Sequence, residues 1–123
     1  MKLKPTDLAK LGELYRDEGR WQGRQIVPAA WVREATTNQL GALELKGGAT
    51  DGYGYLWWTK TVGDDPAYLA WGYGGQLIEV IPNRGLVIVA SCEVIPLDPN
   101  APTLDSSQLQ YLADSVIAPL FDR

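Results

Sequence analysis

Residues 70–94, AWGYGGQLIEVIPNRGLVIVASCEV, contain two apolar runs separated by a short turn. The runs at 76–82 and 86–94 are rich in Ile, Val and Leu, which favour strands, and Asn-Arg-Gly at 83–85 is typical of a tight turn. A connection this short forces an antiparallel pair. The second run begins with five apolar residues, whereas Glu79 interrupts the first. The pattern therefore predicts that the second run is the more central strand.

Two further strands are predicted upstream, at residues 53–60 and 68–72, with Gly-Asp-Asp-Pro at 63–66 as the turn between them. The first of these strands begins with the aromatic stretch YGYLWW at 53–58. Strand alternation divides this stretch between two faces of a sheet, with Tyr53, Tyr55 and Trp57 on one face and Gly54, Leu56 and Trp58 on the other. The sequence thus predicts an antiparallel sheet of about four strands.

Helical periodicity appears on both sides of the predicted sheet. A first helix is expected at about residues 6–18, with Thr6 as its N-cap and Gly19 as its stop signal. A small hairpin around Gly23 follows, and a second helix at about 28–37 opens at a proline.

A last helix is expected at 106–121, opened by a capping box at Asp105-x-x-Gln108. Its apolar stripe consists of Leu109, Leu112, Val116, Ile117 and Leu120. The sheet is the partner that this stripe is expected to cover.

These patterns predict one α+β unit spanning residues 1–123, with two N-terminal helices, an antiparallel sheet and a packed C-terminal helix. Its expected segments are a helical segment at 1–37, a loop at 38–52, antiparallel strands at 53–94, a Pro-rich linker at 95–105 and the helix at 106–121.

Composition excludes several classes of function. The chain has a net charge of −4 and no Lys/Arg cluster interleaved with aromatics, so nucleic-acid binding is not expected. It contains no histidine, which removes a Ser-His-Asp triad and the commonest metal ligand, and no metal site is expected. Its single cysteine, Cys92, is expected to be a small buried hydrophobe. The sequence contains neither a signal-peptide pattern nor a long apolar span, and it assigns no compartment.

The residues themselves give no complete catalytic constellation. None of the four serines has a lysine three positions on, so the Ser-x-x-Lys arrangement is absent from these 123 residues. The carboxylates fall mainly in turns and at helix ends, where capping explains them. The aromatics of YGYLWW could grip a sugar or an acyl group, or could form a half-buried core strand.

The turn Gly72-Tyr73-Gly74-Gly75 also has two interpretations. Three glycines and a tyrosine exceed what a plain hairpin needs. The first interpretation is a tight turn with a β-bulge. The second is a backbone N–H held close to a substrate carbonyl, where it stabilises the oxyanion formed on attack.

Three segments in this order resemble a known family. They are PTDLAKLGELYRDEGRWQGRQIVPAAWVREAT at 5–36, YGYLWW at 53–58 and AWGYGGQLIEVIPNRGLVIVAS at 70–91, followed by the terminal helix. Together they resemble the C-terminal part of the serine β-lactamase and penicillin-binding-protein-like hydrolases. The similarity is greatest to the class C-like branch of esterases and amidases, which includes enzymes that cut 6-aminohexanoate oligomers.

The resemblance implies an antiparallel sheet packed between helices, with a catalytic cleft between that sheet and a separate helical region. The third motif of the family corresponds to Gly72, Tyr73 and Gly74, with the N–H of Tyr73 completing the oxyanion hole. The positions implied to line the substrate pocket are Trp71, Gly75, Gln76, Tyr55 and Trp57. No metal and no organic cofactor are implied.

The chain departs from the family pattern in its catalytic residues. The first two family motifs, which carry the nucleophile and its base, are missing, and no Lys or His stands in the third. The departure argues against β-lactamase activity and leaves ester or amide hydrolysis. We therefore expect a fragment of a longer hydrolase that is inactive alone and acts on a small ester or amide only within its parent. The alternative is a stand-alone binding module that forms homo-oligomers through exposed sheet edges. A sugar-binding module is a third alternative.

Overall fold

The computed structural model describes residues 3–41, 50–73, 75–92 and 106–121. The fold is α+β, as predicted: an antiparallel five-stranded sheet lies between N-terminal helices on one face and a C-terminal helical segment on the other. The predicted linker at 95–105 and much of the predicted loop at 38–52 lie outside the described residues.

The N-terminal part follows the predicted order with shorter helices. Helix α1 spans Pro5–Arg16 and α2 spans Ala29–Ala35. Between them, β1 (Arg20–Trp21) and β2 (Arg24–Gln25) form the expected hairpin. The prediction that Thr6 caps α1 is wrong, because Pro5 already occupies the first helical turn and Lys4 is the residue in extended conformation before it.

The main sheet contains β3 (Gly52–Tyr53), β4 (Trp58–Val62), β5 (Asp65–Gly72), β6 (Gln76–Ile81) and β7 (Leu86–Ala90), hydrogen-bonded in that order. The turn predicted at 63–66 is shorter than expected, since β5 already begins at Asp65.

The single strand predicted at 53–60 is wrong, because the chain turns inside it. The N–H of Gly54 donates to the carbonyl of Trp57, and Leu56 has a positive φ of 67°. The N–H of Tyr55 donates to the carbonyl of Ala35 in α2. Strand alternation therefore does not apply across residues 54–57, and two strands replace the one expected.

The prediction that β7 is the central strand is also wrong. Within the described part of the chain, β7 pairs with β6 alone, whereas β6 is paired on both sides and buried at five of its six positions. Glu79, whose charge suggested a less covered strand, is fully buried. Its burial is explained by a lysine that lies on the same face of the sheet.

Each face of the sheet carries its own apolar layer. The face toward α1 and α2 buries a cluster formed by Ala35, Trp57, Tyr68, Ile78 and Val80. Helix α1 approaches closely at Gly12, where an added Cβ would lie 3.1 Å from Cγ2 of Ile78. The opposite face buries two clusters against the C-terminal segment, formed by Leu69, Leu77, Ile88 and Ala113 and by Val62, Ala67, Ile81 and Ala118.

The C-terminal helical segment comprises α3 (Ser106–Tyr111), a π-helical stretch at Leu112–Ile117 and a 3₁₀ turn at Ala118–Phe121. The predicted stripe is wrong at three positions, since Leu112, Val116 and Leu120 are exposed. The buried apolar positions are Leu109, Ala113 and Ala118, whose wider spacing fits a helix with more residues per turn than an α-helix. The capping residue Asp105 lies outside the described residues.

Candidate functional site

The glycine-rich turn joins the ends of β5 and β6. Gly72 pairs with Gln76 across the turn, and the side chain of Tyr73 is 90% exposed. Gly74, the middle residue of the implied oxyanion motif, lies outside the described residues. The described part of the turn therefore lies at one end of the sheet, with Tyr73 largely in solvent.

The second half of the turn is wedged against the C-terminal segment. Gly75 is buried and has a φ of 79°. A Cβ at this position would lie 2.9 Å from Cδ1 of Leu109 and 3.3 Å from Cβ of Cys92. A glycine is required here for two reasons, since a side chain would be strained by the backbone angle and crowded by its neighbours.

Gln76 anchors the end of β6 to the residues that follow β7. Its Nε2 donates to the carbonyl of Cys92 at 2.7 Å, and its Oε1 accepts from the hydroxyl of Ser91 at 2.9 Å. Both ends of the side-chain amide are therefore engaged within the chain. Gln76 therefore ties the glycine-rich turn to the residues that follow β7.

Three aromatic rings form a row across the sheet beside the turn. Tyr53 meets Trp58 with ring centroids 4.6 Å apart, and Trp58 meets Trp71 at 6.4 Å, both in edge-to-face arrangements. Trp71 is 38% exposed and comes immediately before Gly72. The row thus ends in a partly exposed indole next to the turn.

The other two implied pocket aromatics lie elsewhere. Trp57 is 4% exposed and packs between Tyr15 of α1 and Tyr68 of β5, in the core of the opposite face. Tyr55 stacks on Trp31 of α2, with ring centroids 5.5 Å apart and planes 7° from parallel. The fold therefore brings Trp71, Gly72, Tyr73, Gly75 and Gln76 together and leaves Tyr55 and Trp57 with the N-terminal helices.

A buried charge cluster escaped prediction from the sequence. Nζ of Lys60 in β4 donates to both carboxylate oxygens of Asp114, at 2.6 and 2.8 Å, and lies 3.2 Å from Oε1 of Glu79 in β6. The side chains of Lys60 and Glu79 are 4% and 0% exposed. Burial raises the pKa of Glu79 to about 7, an effect that the neighbouring Lys60 opposes.

One signal in the sequence could have indicated this cluster. Lys60 and Glu79 each stand between apolar residues at alternate positions of a strand, 58 and 62 in β4 and 77 and 81 in β6. In the observed register Trp58 pairs with Leu69 and Leu69 with Glu79, which places 58, 60, 69 and 79 on one face. Opposite charges at apolar-flanked positions on the same face of two strands that both border a third are a signal for a buried ion pair.

Other features of the described residues do not add chemistry at the turn. A shallow groove of about 620 Å³ lies between α1 and the β1–β2 hairpin, lined by Leu11, Leu14, Trp21 and Ile26 among others, and it contains none of the predicted site residues. Within the described ranges, no three acidic or cysteine side chains are grouped as metal ligands, and no helix is long and apolar enough to cross a membrane.

Comparison with known proteins found no protein-family model and no curated protein that matches this chain.

Proposed function

We propose that the chain forms the oxyanion side of the active site of a β-lactamase-related serine hydrolase of the esterase or amidase type. The observation that carries the proposal is the turn at Gly72–Gly75. It follows β5, carries Tyr73, which is 90% exposed, and packs at Gly75 against Leu109 and Cys92, with Gln76 bonded to the carbonyl of Cys92. A rigid backbone donor at a strand end is what stabilisation of an acyl-transfer oxyanion requires.

Within this proposal the chain supplies electrostatics and shape, and the nucleophile comes from outside these 123 residues. The N–H of Tyr73 donates to the developing oxyanion, and the exposed part of Trp71 forms an apolar wall for the acyl group. A serine activated by a lysine attacks the ester or amide carbonyl, and water then releases the acid. The chain alone is expected to be inactive.

The test uses a graft onto a complete hydrolase of the resembling family. Residues 1–123 replace the corresponding C-terminal part of a class C-like esterase, and hydrolysis of a chromogenic short-chain ester is measured. The graft is expected to be active, and the free chain is expected to show no turnover above buffer with either the ester or a chromogenic β-lactam. Turnover by the free chain that survives repurification would contradict the absence of a nucleophile.

A matched pair of variants in the graft isolates the proposed donor. Tyr73→Pro removes the backbone N–H, and Tyr73→Ala removes only a side chain that is 90% exposed. We expect kcat to fall by about 100-fold or more in Tyr73→Pro, as for loss of one oxyanion donor, and to stay near the parent value in Tyr73→Ala. Equal kcat in the two variants would refute the proposed donor.

The outer edge of β7 favours a second candidate function, assembly of the chain with itself. Among the described residues β7 pairs on one side only, and Leu86–Ala90 carries no charge, no proline and no bulge that would block an incoming strand. An antiparallel pair of β7 strands from two copies would extend the sheet across a twofold axis. This assembly does not exclude the first proposal.

A further inference from the structure

The charge cluster between the sheet and the C-terminal segment has an unequal arrangement of partners. Asp114 receives both hydrogen bonds of Lys60. Glu79 has the same ammonium at an ion-pair distance of 3.2 Å, yet neither of its carboxylate oxygens has an aligned hydrogen-bond donor among the described residues. Burial of an ionised carboxylate without donors is strongly unfavourable. One lysine is therefore shared by two carboxylates, and it makes aligned hydrogen bonds to Asp114 but not to Glu79.

Among the residues that the structure describes, the surroundings of Glu79 supply no further charge to balance the cluster. In register, Glu79 is flanked by Leu69 of β5 and Ile88 of β7, neither of which ionises. From the covering segment, Asp114 is the ionisable side chain that faces it, and Lys60 faces it from β4. The charge of the cluster is therefore −1 when Glu79 is ionised and zero when Glu79 is protonated.

Gln110, which lies near Asp114 on the C-terminal segment, also lacks a hydrogen-bond partner among the described residues. Gln110 is 3% exposed, and neither polar atom of its amide makes a hydrogen bond within the described residues. It precedes Asp114 by four residues, so the two side chains project from neighbouring positions on one helix face. Beside the apolar packing of Ala113, the polar contact that the structure shows between the segment and the sheet around Glu79 is the pair of bonds between Lys60 and Asp114.

We propose that Lys60, Glu79 and Asp114 form a pH-dependent latch for the segment at 106–121. Protonation of Glu79 leaves the lysine to Asp114 alone and tightens the docking of the segment. Ionisation of Glu79 places a net negative charge under the segment and loosens it. This role is independent of the proposed hydrolase function, because it concerns the docking of a structural element.

The direction of the pH effect follows from the two states of Glu79. Its pKa is raised by burial from 4.5 to about 7 when the segment is docked. The undocked carboxyl loses its proton first as pH rises, so docking weakens between about pH 4.5 and pH 7 and changes little above that. Asp17 and Asp65, whose pKa values are lowered by arginine partners, affect stability below this window.

The latch extends to the glycine-rich turn. Leu109 lies on the same segment as Asp114 and is the side chain that a Cβ at Gly75 would meet. Loosening the segment therefore removes one of the contacts that fix the turn from behind. The protonation of Glu79 therefore affects how tightly the backbone of the glycine-rich turn is packed.

The experiment is amide hydrogen exchange on the intact chain at pH 6 and pH 8, corrected for intrinsic exchange rates. In the wild type we expect the opening equilibrium of residues 109–118 to rise about tenfold between the two pH values. In Glu79→Gln the rise should disappear. Glu34→Gln, which changes an exposed carboxylate on α2, is the matched control and should retain the tenfold rise.

Three results would overturn the proposal. The first is equal corrected exchange of residues 109–118 at both pH values in the wild type. The second is a tenfold rise that persists in Glu79→Gln. The third is identical opening of the segment and of residues 8–15 in α1, because a latch requires the segment to open as a separate unit. The first and third need only the wild type, so they decide the question even if Glu79→Gln does not fold.

Discussion

At the scale of single residues, the demands on Gly75 come from backbone and packing together. Its φ is 79°, and the space where a side chain would begin is already filled by Leu109 and Cys92. Gly23 has nearly the same φ, 78°, but nothing lies within 4 Å of the position of its missing Cβ. A side chain at Gly23 would therefore cost only backbone strain, whereas a side chain at Gly75 would cost backbone strain and a steric clash.

We predict that Gly75→Ala lowers the free energy of unfolding by about 2–4 kcal/mol, the sum of backbone strain and overpacking. Gly23→Ala should lower it by only about 1 kcal/mol, because strain is its sole cost. Urea unfolding of both variants measures the difference. Equal losses would mean that Leu109 and Cys92 yield without cost and that the turn is not wedged.

At the scale of secondary-structure elements, Arg84 joins three parts of the fold. Its Nε donates to Asp65 at the start of β5, at 2.8 Å. Its two terminal nitrogens donate to the carbonyls of Val62 in β4 and Ala118 in the C-terminal segment, at 3.1 and 2.9 Å. A planar fork with several donors suits this arrangement, and a lysine has no such fork.

Arg84→Lys is expected to lower the free energy of unfolding by about 1–3 kcal/mol, because buried carbonyls lose their donors. The control is Arg33→Lys, since Arg33 pairs with Glu18 at 3.2 Å on the surface, where both side chains are about 60% exposed. We expect the control to change stability by less than about 0.5 kcal/mol. Thermal or urea unfolding of both variants would show whether the fork matters, and equal stabilities would contradict it.

The elements that could be predicted from the sequence are those whose signals are local. Helix α1, the hairpin at Gly23 and the turn before β7 follow from periodicity, glycine and proline, and they occur where expected. The break in YGYLWW could not be predicted, because its aromatic residues favour a strand throughout. The turn there depends on a contact with the carbonyl of Ala35, which is distant in sequence.

The strand order and the charge cluster could not be predicted for a related reason. If β6 is considered alone, the charge of Glu79 predicts an exposed position. Glu79 is predicted to be buried only once Lys60 is known to lie on the same face of the sheet. That knowledge requires the register of three strands. The glycine-rich turn was located from the sequence, and its role in catalysis stays a prediction. The resemblance places Tyr55 and Trp57 in the pocket, whereas the break at Leu56 directs them to the N-terminal helices.

At the scale of the whole molecule, the sheet is covered on both faces and has one long open edge among the described residues. We predict that the chain self-associates as its concentration rises, because β7 can pair with a second copy. Sedimentation velocity at low and high concentration measures this association. A strict monomer at the highest concentration would contradict it.

A charged residue on the edge strand provides the control for that measurement. Ala90→Lys places an ammonium at the half-buried end of β7, where lysine commonly blocks strand pairing. Thr61→Lys places the same charge at an exposed position of the inner strand β4. Self-association should be lost in the first variant and retained in the second. Loss of self-association in both variants would indicate an effect of net charge. Retention of self-association in both would show that the β7 edge is not the interface.

Trp57 and Trp58 are neighbours in the chain, but they belong to different layers of the molecule. Trp57 lies in the cluster beneath α1, and Trp58 packs against the cluster covered by the C-terminal segment. Fluorinated tryptophan would give one ¹⁹F resonance for each of the five tryptophans, and Trp57→Phe and Trp58→Phe would assign the two from this dipeptide, which report different sides of the sheet. A perturbation that shifts one resonance and leaves the other in place can be assigned to a single layer without any further labelling.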